Sequence, residues 1–374
     1  MDCAEDIAIK QSDFVTADNK RKTIFYAKTD VTDLGDICAH LGQTRADASE
    51  RYRPFVESVC KDRLGLRNFS VSPLLNAGTF RLLYHVQTCD STHLIVRVNR
   101  VHEYSRAWDF LIESRIYPLL QKNGLVVPTI IDVDVSRSTS DIDYQVMTKV
   151  AGTTLKSFED AQTQYMAPCL LRAIGAYLAR VHNITLSGYG PLSITSLLVP
   201  DQMPYGLHAS WADYIMLRLD EHVAVCQEIN AITSAEAADI LGVFTTYQHI
   251  FYDVPTSLLH GDVGNQNFLS DDGERITALV DWEDAMAGDP IFDIAYWGTF
   301  FRDTMLATFL VGYTTVRLLP SDFELRYWIY YLRSALSKTV HRFRFGYTDH
   351  PSRPPASLRI QKALGKIKNI LNCH

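Results

Sequence analysis

Cysteine is thin and unpaired in this 374-residue chain. The seven residues (Cys3, Cys38, Cys60, Cys89, Cys169, Cys226 and Cys373) are odd in number, scattered, and form no Cys-x-x-Cys pair. That argues against a disulfide framework or a thiolate zinc site and for a reducing, cytoplasmic setting. No run of about 18 uncharged apolar residues exists, so a membrane-spanning helix is not expected. The opening Met1-Asp2-Cys3-Ala4-Glu5-Asp6 is acidic and lacks an apolar stretch, so it does not read as a secretory signal. Repeats and low-complexity segments are missing as well. The net charge is −7, and neither a nucleic-acid partner nor a membrane is expected.

What is present is ample material for a packed interior: 47% apolar residues and 11% aromatics. A chain of this length exceeds the usual size of one hydrophobic core, so two lobes are expected. Residues 1 to about 30 are polar and aperiodic and read as a loosely attached lead-in. Helical spacing follows in 31–41 and 46–64. Strand signals then recur at 70–75, 80–86 and 94–98, as an antiparallel meander. An amphipathic helix over 101–121 ends at Asn123-Gly124, and two more strands lie at 129–133 and 144–150. Beyond Val150-Ala151-Gly152 the chain reads as mainly helical, with the clearest segments at 161–184, 208–230, 234–252, 291–301, 324–345 and 358–371. The division expected is an N-terminal extension (1–65), a small strand-rich lobe (66–150) and a helical lobe (151–374).

The most informative stretch is Leu258-Leu259-His260-Gly261-Asp262-Val263-Gly264-Asn265-Gln266-Asn267, followed by Leu279-Val280-Asp281-Trp282-Glu283. It places an Asp, an Asn five residues on, and a second Asp after a strand-turn-strand through Ser270-Asp271-Asp272-Gly273. Phosphoryl transfer to a hydroxyl needs a carboxylate for the hydroxyl proton, and an amide oxygen and a carboxylate for magnesium on the nucleotide phosphates. Apolar strands on either side would anchor these groups. The alternative is that Asp262 and Asn267 close a loop and Asp281 caps a helix. His260 is expected to shape the loop through its ring nitrogens rather than to act as base. In Gly288-Asp289-Pro290, Asp289 is expected to cap the next helix, with Asp293 also structural.

A nucleotide site also needs a phosphate cover and a paired cation. The turn Asn76-Ala77-Gly78-Thr79-Phe80 offers Gly78 and Thr79 as an anion nest, although an ordinary hairpin turn fits equally well. Arg97 is the lone cation in the apolar strand His93–Asn99 and needs a partner if buried; Glu113 on the next helix is the candidate. The alternative puts Arg97 in solvent on an edge strand. Charge is uneven along the chain. Residues 256–303 hold ten acids against Arg275 and Arg302, and residues 332–374 hold nine Lys/Arg against Asp349. Glu283, Asp284, Asp213 and Asp303 are therefore candidates for a pocket that takes a cationic acceptor. The basic tail reads as a solvated helix face packed near an acidic neighbour.

Leu259-His260-Gly261-Asp262…Asn267, Val280-Asp281-Trp282-Glu283 and Gly288-Asp289-Pro290…Asp293 together resemble the aminoglycoside phosphotransferase family. Val96-Arg97-Val98-Asn99, Gly188-Tyr189-Gly190-Pro191 and Ile276–Trp282 look similar to its hygromycin B phosphotransferase branch. The resemblance runs from about Ser70 to Phe301. It implies an α+β, two-lobed protein-kinase-like fold, with a five-stranded antiparallel N-lobe and a mainly helical C-lobe. It implies ATP or GTP and Mg2+ as cofactors and a small-molecule hydroxyl as acceptor, aminoglycoside-like or otherwise amine-bearing, or else a neutral sugar or cyclitol. By the same resemblance Asp262 is the catalytic base and Asn267 and Asp281 are the metal ligands. Arg97 stands where a nucleotide-contacting lysine is usual, with Glu113 as its partner. Met147, Thr148, Lys149 and Val150 form the hinge beside the adenine. The chain departs from the family in having Arg at position 97 and a single glycine in the phosphate turn.

Overall fold

The computed structural model describes residues 11–30, 35–75, 81–99, 107–138, 140, 142–158, 165–301, 303–344, 346 and 355–372. The chain begins with helices α1 (Gln11–Arg21), α2 (Ala27–Asp30) and α3 (Gly35–Ser58), the last running into a wider π-helical turn over Val59–Arg63. Strands β1 (Phe69–Pro73), β2 (Arg81–Thr88) and β3 (His93–Asn99) follow, then α4 (Ala107–Lys122), β4 (Ile130–Asp134) and β5 (Tyr144–Thr148). These five strands form one antiparallel sheet in the order β1-β2-β3-β5-β4.

The remainder comprises β6 (Thr153–Thr154), α5 (Pro168–His182), β7 (Tyr189–Leu192), α6 (Ile194–Leu197), β8 (Gly206–His208), α7 (Trp211–Ile215), α8 (Leu219–Glu228) and α9 (Ser234–Thr246). Next come β9 (Ser257–Leu259), β10 (Phe268–Ser270), β11 (Ala278–Leu279), β12 (Met286–Gly288), α10 (Pro290–Gly298), α11 (Asp303–Thr314), α12 (Phe323–Arg344) and α13 (Ala356–Asn372). The fold is thus α+β: a five-stranded antiparallel sheet followed by a helical body with two small sheets, β11-β10-β6 and β8-β7-β12-β9.

The face of the large sheet carrying Tyr84, Val86, Val96, Val98 and Val146 packs on Val56, Val59 and Cys60 of the α3 region. Helix α4 sits elsewhere: Ile112, Ile116 and Leu120 join the large core of the helical body. Alternation along β2 and β3 decides this, since residues two apart share a face. In the helical body α5 and α11 approach closely through two glycines. A Cβ on Gly175 would lie 2.1 Å from the Phe309 carbonyl oxygen, and one on Gly312 would lie 2.0 Å from that of Arg172.

Several expectations need correction. Residues 11–30 are not a loose lead-in. Phe14, Ala17 and Phe25 are buried, and Phe25 stacks on Tyr214 at 5.1 Å, beneath the Arg333 guanidinium at 3.5 Å. Asp18 accepts hydrogen bonds at the start of α6 from Ile194 N–H (2.8 Å) and Ser193 Oγ (2.8 Å). Asp30 accepts from the Phe25 and Tyr26 N–H groups and from His222 Nε2. Such residues look polar in a one-dimensional reading because their partners lie about 170–190 positions away. The two helices expected at 31–41 and 46–64 are one, α3. The single helix expected over 208–230 is α7 and α8, broken where Arg218 takes a left-handed φ of 52°. The short buried strand expected at Leu258-Leu259 is β9; helix α11 and strands β7, β8 and β12 had no sequence expectation. The start of the 101–121 helix and the turn at 76–80, with Gly78 and Thr79, lie outside the described residues.

Candidate active site

The segment from β9 to α10 builds the site. Strand β9 is fully buried and paired with β12, and the chain then turns sharply at Gly261 (φ 79°). A Cβ there would lie 2.2 Å from the Asp284 carbonyl oxygen, so only glycine fits. Asp293 on α10 pins the turn, its two oxygens accepting from His260 N–H (2.7 Å) and Gly261 N–H (3.0 Å). His260 Nε2–H donates to the Val280 carbonyl (2.9 Å), so Nδ1 is the acceptor for the Asp262 N–H (3.2 Å). His260 thus ties the Asp262 loop to the Val280 segment, with both ring nitrogens engaged. Asp289 accepts from Ile291 N–H (3.0 Å) as the cap of α10, and from Arg326 (3.0 Å) and Tyr330 (2.8 Å). Burial pushes its carboxyl up from the ordinary range despite Arg326 alongside.

Asn267 donates from Nδ2 to the Asp262 carbonyl (2.9 Å), which turns its amide oxygen away from that loop. The loop and the strand pair β10–β11 then bring Asp281 to the same region. Asp281 has φ 69° and ψ 57°, a left-handed conformation that Asp tolerates better than most residues. Its side chain keeps 37% of its exposure, the most open carboxylate of the paired set around it.

Behind these residues lies a compact ionic cluster. Arg97 on β3 pairs with Glu113 on α4 and, through Nη2, with Asp281 at 3.0 Å. Glu113, with no exposure, also accepts from the Trp282 N–H (3.0 Å) and the Tyr117 hydroxyl (3.2 Å). Burial works against the charge of Arg97, and Glu113 and Asp281 outweigh it, holding the guanidinium above its ordinary range. Arg97 is therefore central and buried rather than at a solvent edge. A second arginine, Arg81 at the start of β2, pairs with Asp109 and Glu283 and donates to Asn99 Oδ1 at 3.1 Å. Burial, and then the nearby Arg97, pull its pKa down. Both guanidinium groups stand near the ring of Phe110.

The acidic acceptor pocket does not assemble as the sequence suggested. Glu283 is only 4% exposed and lies between Arg81 and Arg97 (3.6 Å). Asp213 closes a capping box with Ser210 at the start of α7. Asp303 pairs with Lys362 at the surface. Asp284 follows Glu283 in a short turn and is half-buried. Four of the acids in 256–303, Asp281, Glu283, Asp289 and Asp303, are met by cations from distant segments, Arg97, Arg81, Arg326 and Lys362. The basic tail behaves as expected in part: Lys362 and Lys368 of α13 pair with Asp303 and Asp239.

The segment expected to form the hinge leads from β5 through Gly152 (φ 106°) into β6, which pairs with β10. Met147 is buried within the sheet. Thr148 and Lys149 use their N–H groups inside the protein, on the Thr129 and His93 carbonyls (3.0 and 2.9 Å). Val150 follows, half-buried, before the turn.

Sequence reasoning missed Arg81 and Tyr296. The Tyr296 hydroxyl donates to Asp262 Oδ1 at 2.6 Å. Its signal was legible in hindsight, because Tyr296 lies three residues after Asp293 and so on the same face of α10.

The phosphotransferase enzyme family model matches residues 73–327. The chain belongs to that family. Hygromycin-B 4-O-kinase of Escherichia coli is 27% identical over 202 residues, which is 54% of this chain and 54% of the kinase. This phosphotransferase chain therefore spans about half the length of that curated relative. Among solved structures it is similar to aminoglycoside phosphotransferase APH(4)-Ia, with a TM-score of 0.57 and 20% identity over 85% of this chain and 97% of the other. It is also similar to macrolide 2'-phosphotransferase MphH from Brachybacterium faecium, with a TM-score of 0.54 and 15% identity over 82% and 96% of the two chains. At these identities the likeness is one of fold: the phosphotransferase has the two-lobed kinase-like architecture. No described helix is long and apolar enough to cross a membrane.

Proposed function

We propose that this phosphotransferase is a small-molecule kinase that moves the γ-phosphoryl group of ATP or GTP to an acceptor hydroxyl, with residues 66–150 as its nucleotide lobe and 151–374 as its acceptor lobe. The observation that carries the reading is the convergence of Asp262, Asn267 and Asp281 on loops fixed by Asp293, His260 and Glu113. Asp262 is the base. The hydroxyl oxygen bonds to the γ-phosphorus, the bond to the β–γ bridging oxygen breaks, the nucleoside diphosphate leaves, and the hydroxyl proton passes to Asp262. Arg97, aligned by Glu113, faces the phosphates.

Asn267 and Asp281 are the residues that would hold magnesium. Both offer hard oxygen donors, and Asp281 is partly open. Among the described residues no group of three or more His, Cys, Asp or Glu forms a metal cage. That suits an ion whose coordination is completed by nucleotide phosphates and water. When bound, the ion neutralises phosphate charge.

For the acceptor, relatives named for hygromycin B and macrolides support a hydroxylated natural product, aminoglycoside-like or otherwise amine-bearing. The pairing of Glu283 with Arg81 and Arg97, and of Asp303 with Lys362, favours a second reading, a neutral sugar or cyclitol. The test is acceptor-dependent release of ADP or GDP by purified protein, with aminoglycosides, macrolides, amino alcohols and sugars in parallel. Release that requires magnesium and one acceptor class supports the reading. Failure to bind magnesium–nucleotide at all refutes it.

A further inference from the structure

Around Asp262 the structure brings together three residues from separate parts of the chain. Tyr296 of α10 donates to Asp262 Oδ1 at 2.6 Å. Tyr26, between α1 and α2, meets Tyr296 edge-on at 6.4 Å between ring centroids, close enough that its phenol adds to the upward push on that of Tyr296. Lys338 of α12 places its ammonium 3.7 Å from the centroid of the Tyr296 ring and 3.2 Å from that of Phe300, and donates to Thr299 Oγ1 at 2.6 Å. The gap among Tyr26, Gly261, Tyr296 and Lys338 is about 10 Å³, room for about one water, so the groups are close-packed. Tyr26 and Lys338 both lie outside residues 73–327, the region the family model covers.

We propose that Tyr296 is a positioning residue for the base Asp262, and that Tyr26 and Lys338, supplied by segments flanking the family region, hold Tyr296 in place. This rests on Asp262 being the base. A phenol donating to one carboxylate oxygen restricts rotation of the group, so the carboxylate meets the acceptor hydroxyl in one orientation. The phenol is a lasting donor: burial first, then the charge of Asp262, holds its pKa well above the ordinary tyrosine value. The ammonium over the ring face polarises the phenol toward donation. The N-terminal segment is thereby part of the catalytic apparatus, acting through Tyr296.

The experiment is steady-state turnover of magnesium–ATP by the full chain, with the best acceptor of the screen and, in parallel, with water as acceptor. Tyr296→Phe and Tyr26→Phe each remove one hydroxyl and keep the ring. Loss of a hydrogen bond to a charged group corresponds to roughly 10–10²-fold in kcat for Tyr296→Phe, with KM for nucleotide and acceptor unchanged and the melting temperature close to that of the parent. Tyr26→Phe lowers kcat several-fold, and the double variant is no slower than Tyr296→Phe alone, because Tyr26 acts through Tyr296. Parental kcat in Tyr296→Phe overturns the proposal. Multiplicative effects in the double variant overturn the part assigned to Tyr26. Asp262→Asn in the same assay separates the two claims. If it keeps parental turnover, the base assignment fails; if it is inactive while Tyr296→Phe keeps parental kcat, only this inference fails.

Discussion

Replacing Glu113 by Leu tests whether the ionic cluster holds the two halves of the site in register. Glu113 is fully buried and serves three donors: the Arg97 guanidinium, the Trp282 N–H and the Tyr117 hydroxyl. Breaking a buried pair from one side typically costs about 3–5 kcal/mol. Here Arg97 keeps Asp281 at 3.0 Å and Glu283 at 3.6 Å, so its charge is not stranded. The larger share of the loss comes from the Trp282 amide and the Tyr117 hydroxyl, at about 1–3 kcal/mol for each buried donor left without an acceptor. A total near about 4 kcal/mol is expected for Glu113→Leu. Arg97→Met leaves Glu113 a buried anion served only by neutral donors, and is expected to cost about as much. The double variant Arg97→Met/Glu113→Leu is expected to fall short of the sum of the singles by about 1–3 kcal/mol, the range for residues in one network. Denaturant unfolding of the four proteins, followed by tryptophan fluorescence, measures each difference. Additive losses, or a Glu113→Leu cost below about 1 kcal/mol, would refute the argument.

Asp262→Asn is expected to retain nucleotide binding and lose roughly 10²–10⁴-fold in turnover, measured by coupled ADP release. Asp281→Ala is expected to abolish the magnesium dependence of nucleotide affinity in calorimetry, with Asn267→Ala showing a weaker form of the same change. Because Asp281, Glu283, Asp289 and Asp303 are matched by arginines and a lysine, kcat/KM for the best acceptor is expected to stay flat as salt rises; a steep fall would restore the acidic-pocket reading. Stability is expected to decline as pH falls from about 6.5 toward 4. Burial first, with Arg333 beside it, lowers the pKa of His222 to about 4 in spite of its bond to Asp30. The unfolded chain therefore binds a proton in that window that the folded one excludes. His222→Gln should flatten the slope in urea titrations at several pH values.

The motif residues were legible because their spacing is set by local chain geometry. Asp262 and Asn267 share one loop, and Asp281 ends a strand that must pair with β10. Strand-type runs bounded by turn residues marked the strands of the large sheet, and the lone cation among the apolar residues of β3 marked Arg97 as in need of a partner. The illegible parts are those whose partners are distant in sequence. Nothing near Glu283 in the chain announces Arg81, which is 202 residues away. A local count of acids therefore suggested a negative field that folding offsets at Asp281, Glu283, Asp289 and Asp303. Residues 11–30 read as loose for the same reason: a buried Asp18 and Asp30 look like surface residues until the amides and the imidazole they serve are known.

The docking of Phe25 means that the stretch recognisable by kinship is shorter than the unit that must fold together. A fragment trimmed to residues 73–327 would strip Tyr214 and Phe292 of the ring against which they pack. It would also remove the carboxylate on His222 and the capping oxygens at α6, and it would sever α12 seventeen residues before its end at Arg344. Residues inside and outside the family region share one core, Phe25 and Ile360 among them. Grafting the acceptor pocket of a relative onto this chain should accordingly begin by keeping both ends in place.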